Sequence, residues 1–183
     1  MYVATGTTTG VWQKFTEVES VDYTDKTKNV FGWNDIADNV YTAGAPRSIS
    51  SGVRTLLTNN ASAAQTDTSR LGTIWDVANS KFLINDENAV YVLRVNYKVA
   101  AAAAASTPYT VLFEMEGGAP VTVFSQMNSF IKGGGYVNKI GISALFYMGS
   151  YINNTDLKLY VTPDTNITLY DIGFVIQRTY KET

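Results

Sequence analysis

Apolar and polar residues alternate along most of the second half of the chain. From Val90 to Val99 every second residue is apolar, while the intervening positions include Arg94, Asn96 and Lys98. Because successive side chains of a strand point to opposite faces, this pattern predicts a strand with one face on a core. The predicted core residues of this strand are Tyr91, Leu93, Val95, Tyr97 and Val99.

The same period of two predicts further strands toward the C-terminus. They span Tyr109–Met115, Val121–Ile131, Val137–Tyr147, Leu157–Thr162 and Ile167–Tyr180. In the last of them, Tyr170, Ile172, Phe174 and Ile176 are expected to share one face until Arg178 breaks the pattern. Turn residues separate these runs: Gly117-Gly118, Gly133-Gly134-Gly135 and Pro163-Asp164-Thr165-Asn166. Glycine and Asp-Asn turns at this spacing are typical of a β-sandwich.

The first half of the chain is less regular. Short strands are predicted near Gly10–Phe15, Val40–Thr42, Ile49–Leu57, Thr73–Trp75 and Lys81–Leu83. Small polar residues predict exposed loops at Asp22–Asn29 and Asn59–Ser69. The six alanines Ala100–Ala105 are interpreted as a loop between strands, with a short helical turn or a contact to a neighbouring subunit as the alternatives.

Composition excludes several classes of function. Only 16% of the 183 residues are charged, and there is no His and no Cys. Catalytic triads, Cys-His pairs and the usual zinc sites are therefore excluded. A net charge of -2 without a basic run argues against nucleic acid and against an anionic membrane as partners. The Thr- and Gly-rich start lacks the apolar region of a signal peptide.

Two clusters of acidic residues are candidates for chemistry. Glu114 and Glu116 lie two apart on a predicted strand, so both carboxylates project to one face, and a carboxylate pair at this distance can hydrolyse glycosides. The alternation instead favours solvent-facing glutamates beside a hairpin, and we expect no catalytic residue. Asp35 and Asp38, with Asn34 and Asn39, lack the spacing of a calcium loop and are interpreted as turn caps. No metal and no cofactor are predicted.

Aromatic residues of the first half are candidates for binding. Trp33, Phe31 and Tyr41 are the candidates for surface recognition, because exposed aromatic rings stack on sugars and anchor protein interfaces. Trp75 is less favoured, since it lies in an apolar stretch. At the N-terminus Tyr2, Val3, Val11 and Trp12 are the candidate anchors of an arm.

A series of short motifs resembles small jelly-roll domains of tailed-phage structural proteins. In chain order the motifs are Ile49–Asn59 with its Gly-Val-x-Thr-x-Leu core, Thr73-Ile74-Trp75-Asp76, Tyr91–Tyr97, the Gly117-Gly118 hairpin, the Gly133–Gly135 turn, Leu159–Val161, Leu169–Ile172 and Arg178–Lys181. The resemblance covers roughly Asp35 to Lys181. It implies a tumour-necrosis-factor-like jelly roll that is usually trimeric and lies on the outside of a virion, as in head decoration proteins and tail-fibre tips.

The sequence therefore predicts an all-β chain, an antiparallel β-sandwich of jelly-roll topology. Residues 1–34 are expected to form an N-terminal arm and residues 35–183 the jelly-roll domain. The predicted function is a capsid decoration or cement protein on the virion exterior, because the chain begins with Met1 and carries no fibre shaft. The predicted partners are two further copies in a homotrimer and the major capsid protein or another virion protein.

Two other functions are kept as alternatives. One is a receptor-binding tip of a tail fibre, which adds a host surface glycan as a partner and needs an aromatic or polar sugar site. The other is a polysaccharide depolymerase that uses Glu114 and Glu116. We expect no enzyme.

Overall fold

The computed structural model describes residues 2–4, 12–14, 32–66, 71, 74–84, 86–102, 107–118, 121–131, 136–149 and 157–181. Within these residues all regular structure is β-strand. The strands are β1 Tyr2–Ala4, β2 Trp12–Lys14, β3 Gly32–Ala37, β4 Arg47–Ile49, β5 Thr55–Leu56, β6 Ala63–Thr66, β7 Trp75–Asp76, β8 Lys81–Phe82, β9 Ala89–Ala101, β10 Tyr109–Gly117, β11 Thr122–Phe130, β12 Val137–Met148, β13 Leu157–Pro163 and β14 Ile167–Lys181.

Two six-stranded antiparallel sheets form a sandwich. The first sheet has the order β11-β10-β13-β8-β7, and β5 also pairs with β13. The second sheet has the order β12-β9-β14-β3-β6, and β4 also pairs with β14. The connections from β9 to β10, from β11 to β12 and from β13 to β14 each cross from one sheet to the other. This confirms the predicted all-β sandwich of jelly-roll type.

The alternating residues of the long strands face each other across the sandwich. All five predicted core residues of β9 are buried, and so are Tyr109, Val111, Phe113 and Met115 of β10. At the centre an aromatic cluster joins the sheets, with ring centroids 4.7 Å apart for Trp75 and Phe82 and 5.0 Å apart for Trp75 and Phe174. Trp75 is therefore a core residue, and its indole NH donates to the carbonyl of Asn59.

The face predicted for β14 is wrong at both of its ends. Asp171 has a φ of 52° and forms a bulge, so the pairing with β9 jumps from Tyr170 to Gly173. The extra residue turns Tyr170 away from the core that holds Ile172 and Phe174, and the ring lies near Lys98 instead. At the other end Arg178 does not break the pattern, because it is buried as well.

The predicted strand Ile49–Leu57 is two strands in the structure. Gly52 has a φ of 71°, which favours glycine, and the chain turns there. Before the turn β4 pairs with β14 in the second sheet, and after it β5 pairs with β13 in the first. The strand predicted at Val40–Thr42 is absent, since only an isolated bridge links Thr42 to Ala45.

Two strands of the second sheet are missing from the sequence prediction. Ala63–Thr66 lies inside the stretch interpreted as a loop, yet it pairs with β3 at the sheet edge. Strand β3 itself begins at Gly32, so the sandwich includes Gly32, Trp33 and Asn34, which the predicted boundary assigned to the arm. A Cβ atom on Gly32 would lie 2.6 Å from the Cβ of Leu71, so glycine is required for this close approach.

The β10–β11 connection agrees with its predicted turn, whereas the alanine run departs in part from its predicted loop. The β10–β11 hairpin turns at Gly118, whose φ is 61°. In the alanine run, Ala100 and Ala101 extend β9 and Ala102 forms a bend, while residues 103–105 lie outside the described residues. The triglycine turn and the loop predicted at Asp22–Asn29 also lie outside them.

Candidate functional site

The outer face of the first sheet carries the two glutamates predicted as a catalytic alternative. Glu114 and Glu116 project outward from β10, opposite the buried residues of that strand. Arg54 contacts both, with Nε 2.9 Å from Glu114 and Nη2 2.9 Å from Glu116. Its guanidinium also lies 3.6 Å from the ring centroid of Tyr160. One arginine, which directly precedes β5, therefore contacts side chains of both β10 and β13.

This arrangement resembles a structural ion pair more than a hydrolytic site. A glycosidase needs a sugar between an acid and a base or nucleophile. Here Arg54 occupies the position beside both carboxylates and covers Tyr160, the aromatic ring next to them. The sequence reasoning placed the glutamates on the correct face, but it did not identify Arg54, because that residue is 60 positions away from Glu114.

The Asp and Asn residues weighed as calcium ligands are divided between different environments. Asn34 is buried on β3, whereas Asp35 points to the opposite face of the same strand. Asp38 accepts hydrogen bonds from the backbone NH groups of Tyr41 and Asn60, and so caps the turn, as predicted. Among the described residues no group of three or more acidic side chains is arranged to hold a metal ion.

Tyr41 lines a surface groove of about 300 Å³ at the end of β3. Polar residues such as Asp38 and Asn60 line the groove together with the exposed Val40 and Val77. The Arg47 guanidinium lies 5.4 Å from the centroid of the Tyr41 ring and braces it. Beneath the groove the Asn59 amide donates to the carbonyls of Ile36 and Ile172, so its floor is tied to β3 and β14.

The outer face of the second sheet is different, because large apolar side chains cover one end of it. Tyr147, Val90 and Tyr180 form one row across β12, β9 and β14. The next row contains Leu145, Val92, Gln177 and Trp33. Leu145 is 68% exposed and Trp33 is 40% exposed. We call these two rows the apolar band.

The remaining predicted binding residues lie apart from one another. Trp33 belongs to the apolar band, whereas Tyr41 lines the groove, so the structure does not bring these two together in one site. Tyr2 and Val3 lie in β1 and Trp12 in β2, which pair as a short antiparallel hairpin. Phe31 and Val11 lie outside the described residues. Leu145 and Tyr147 were not identified as binding residues, because exposed positions of a strand have no periodic pattern of their own.

A cluster of charges closes the end of the second sheet beside the apolar band. Asp86 accepts hydrogen bonds from Tyr91, from the buried Arg178 and from Lys181. Partial burial acts to raise the pKa of Asp86, but these hydrogen bonds outweigh it and hold the pKa below its usual value. Burial, together with the hydrogen bond to Asp86, raises the pKa of the Tyr91 hydroxyl.

Comparison with known proteins identifies the fold. The tumour necrosis factor Eiger from S. frugiperda superimposes with a TM-score of 0.53 at 9% identity, over 85% of this chain and 96% of that one. The chain has a tumour-necrosis-factor-like jelly-roll fold. No protein-family model matches the chain, and no curated protein matches it.

Two viral proteins are also similar, with lower scores. The vertex protein P5 of PRD1 gives a TM-score of 0.44 at 14% identity, over 84% of this chain and 74% of that one. A chain of infectious bursal disease virus, Gx strain, gives 0.38 at 11% identity, over 82% of this chain and 32% of that one. Within the described residues no helix is long and apolar enough to cross a membrane.

Proposed function

We propose that the protein is a virion structural protein that assembles as a homotrimer and decorates the outside of a phage capsid. The observation that carries this proposal is the apolar band on the second sheet. Soluble monomers rarely expose contiguous apolar patches of such large residues, and a patch of this kind usually marks an interface. The trimer and the location on a virion are inferred from the motifs that resemble phage jelly-roll domains. The protein has no catalytic role in this proposal.

The outer face of the second sheet also suits a closed ring of copies. Its apolar band extends from Leu145 on β12 to Trp33 on β3, so the two sides of this face offer different patches. A cyclic assembly of identical chains uses two different patches of each copy, one against the other. The β12–β9 side of one copy and the β3 side of the next meet that requirement, whereas a twofold dimer needs only one self-complementary patch.

The N-terminal arm is proposed to attach the trimer to the capsid. Its described part is the β1–β2 hairpin, in which Val3 pairs with Gln13. Each strand has only three residues, and an isolated hairpin of that size is marginally stable in water. Docking on the major capsid protein or another virion protein is proposed to stabilise this strand pair.

Recognition of a host surface glycan at a tail-fibre tip is the second candidate function. The groove beside Tyr41 favours it, because an aromatic side chain and the polar Asp38 and Asn60 line one cleft of about 300 Å³. This groove is separate from the apolar band, so glycan binding and trimer formation are compatible.

Two measurements test the proposal. Light scattering of the purified chain should give about three times the 20.0 kDa mass of one copy. Sedimentation with capsids of the phage that encodes the chain should recover it in the pellet, and deletion of Met1 to Gly10 should leave a trimer that stays in the supernatant. A truncated protein that sediments fully would move the docking surface onto the sandwich.

Binding assays separate the two locations. Labelled protein that binds whole host cells, and loses this binding when Tyr41 is changed to Ala, would favour the fibre tip. Labelling of heads rather than tails on intact virions in electron micrographs would favour decoration.

A further inference from the structure

Two opposite charges beside the apolar band have no partner among the residues that the structure describes. Arg94 of β9 and Asp35 of β3 both project from the outer face of the second sheet. Neither makes an ion pair or a side-chain hydrogen bond within the part of the chain that the structure describes.

The sheet geometry keeps these two charges apart within one copy. Arg94 pairs across β9 and β14 with Val175, and Val175 pairs with Asp35 on β3. The two residues are thus two strand spacings apart, roughly 10 Å between their backbones, with an apolar side chain between them. By contrast Lys98 and Asp171, also on this sheet, already form an ion pair at 2.6 Å.

Covering the apolar band would also cover this row, because Arg94 and Asp35 lie in the row directly next to Val92 and Trp33. A charge buried without a partner is strongly unfavourable, so each must meet an opposite charge when the face is covered. Lys139, the charged residue of β12 on the same face, cannot neutralise Arg94, because both side chains are cationic. A second copy of this chain supplies both missing counter-charges.

We propose that Arg94 of one copy forms an ion pair with Asp35 of the next copy in the homotrimer. This inference rests on the trimer of the proposed function and assigns the residues that fix its register. Threefold symmetry repeats the contact three times, so each Arg94 and each Asp35 is used once. Opposite charges placed in this way specify the partner and its orientation more than they add affinity.

The experiment is a charge exchange followed by analytical ultracentrifugation. Arg94→Asp and Asp35→Arg each place like charges together and should weaken trimer association at least about thirtyfold, as the loss of a close interfacial charge pair does. The double variant Arg94→Asp with Asp35→Arg restores opposite charges and should recover most of the association. Lys158→Asp on the first sheet is the matched control, and it should leave the trimer unchanged. Circular dichroism melts check that every variant is folded.

The outcomes distinguish this inference from the proposed function. A monomeric wild-type protein would overturn both. A trimeric wild type whose two single variants associate as tightly as the Lys158→Asp control would overturn the ion pair and leave the trimer standing. Single variants that weaken the trimer without recovery in the double variant would show that the two residues do not face each other.

Discussion

The outer faces of the two sheets differ in the pairing of their charged side chains and in the exposure of their apolar side chains. On the first sheet Arg54 neutralises Glu114 and Glu116 and covers the ring of Tyr160. On the second sheet Leu145 and its neighbours in the apolar band are exposed, and Arg94 and Asp35 have no partner in the described chain. Both faces cover the same core and belong to sheets of six strands each.

The difference indicates which face meets water and which meets protein. A face whose charges are paired internally gains nothing by being covered. A face with exposed large apolar side chains and unpaired charges gains free energy when a partner covers it. The apolar side chains are then buried, and the charges can be paired. The second sheet is therefore the one expected to contact other copies, and the predictions below test the two faces against each other.

The largest effect is expected in the core that supports both faces. Phe174→Ala should destabilise the fold by about 3–5 kcal/mol, because the ring is fully buried between Trp75 and Phe82. Leu145→Ala on the apolar band should leave the stability of the monomer within about 0.5 kcal/mol of wild type. Urea unfolding at low protein concentration measures both, and equal effects would contradict the assignment of inner and outer faces.

A smaller loss is expected at the charged end of the second sheet. Asp86→Asn should cost about 2 kcal/mol at pH 7, since hydrogen bonds from Arg178 and Lys181 lose their charged acceptor. The pKa of Asp86 is lowered by folding, so this stabilisation is present above the unfolded pKa of about 3.9 and is lost as the pH falls further. Melting temperatures of wild type and variant should converge below about pH 3. A difference that persists there would contradict this role.

The sequence predicted the long strands well because their two faces have different environments. The strict alternation of β9 and β10 follows from one face on the core, and it placed the glutamates outward. The same reasoning failed where tertiary contacts decide. Strand β3 has only Ile36 as a large inward residue, and β6 is a short edge strand of small and polar residues.

The candidate site was less predictable than the fold. Trp33 and Tyr41 were selected as candidates for surface recognition, but nothing in the sequence shows that one lies on a sheet face and the other in a groove. The bulge at Asp171 was missed because a single positive φ at an aspartate leaves the apolar pattern intact while it shifts the register. Partners such as Arg54 and Arg94 depend on strands far apart in the chain.

On the first face, removing both carboxylates should have only a minor effect. The double variant Glu114→Gln with Glu116→Gln should lose no more than about 1 kcal/mol, since the side chains and Arg54 are partly exposed and such pairs contribute little. We also expect no sugar release from host polysaccharide by wild type. Release that is abolished in the double variant would make this face catalytic.

The smallest effect is expected on removal of metal ions. Asp38, the acidic residue of the Tyr41 groove, already accepts hydrogen bonds from two backbone NH groups, so EDTA should leave the melting temperature unchanged. A fall of several degrees that calcium reverses would place an ion in this part of the molecule.

We propose that the second sheet, and not the first, forms the contact between copies. Light scattering of Leu145→Asp and Leu83→Asp tests it with the same substitution at two exposed leucines, one on the apolar band and one beside β8 of the first sheet. We expect a monomer for Leu145→Asp and a trimer for Leu83→Asp at micromolar concentration. A trimer for Leu145→Asp together with a monomer for Leu83→Asp would contradict it.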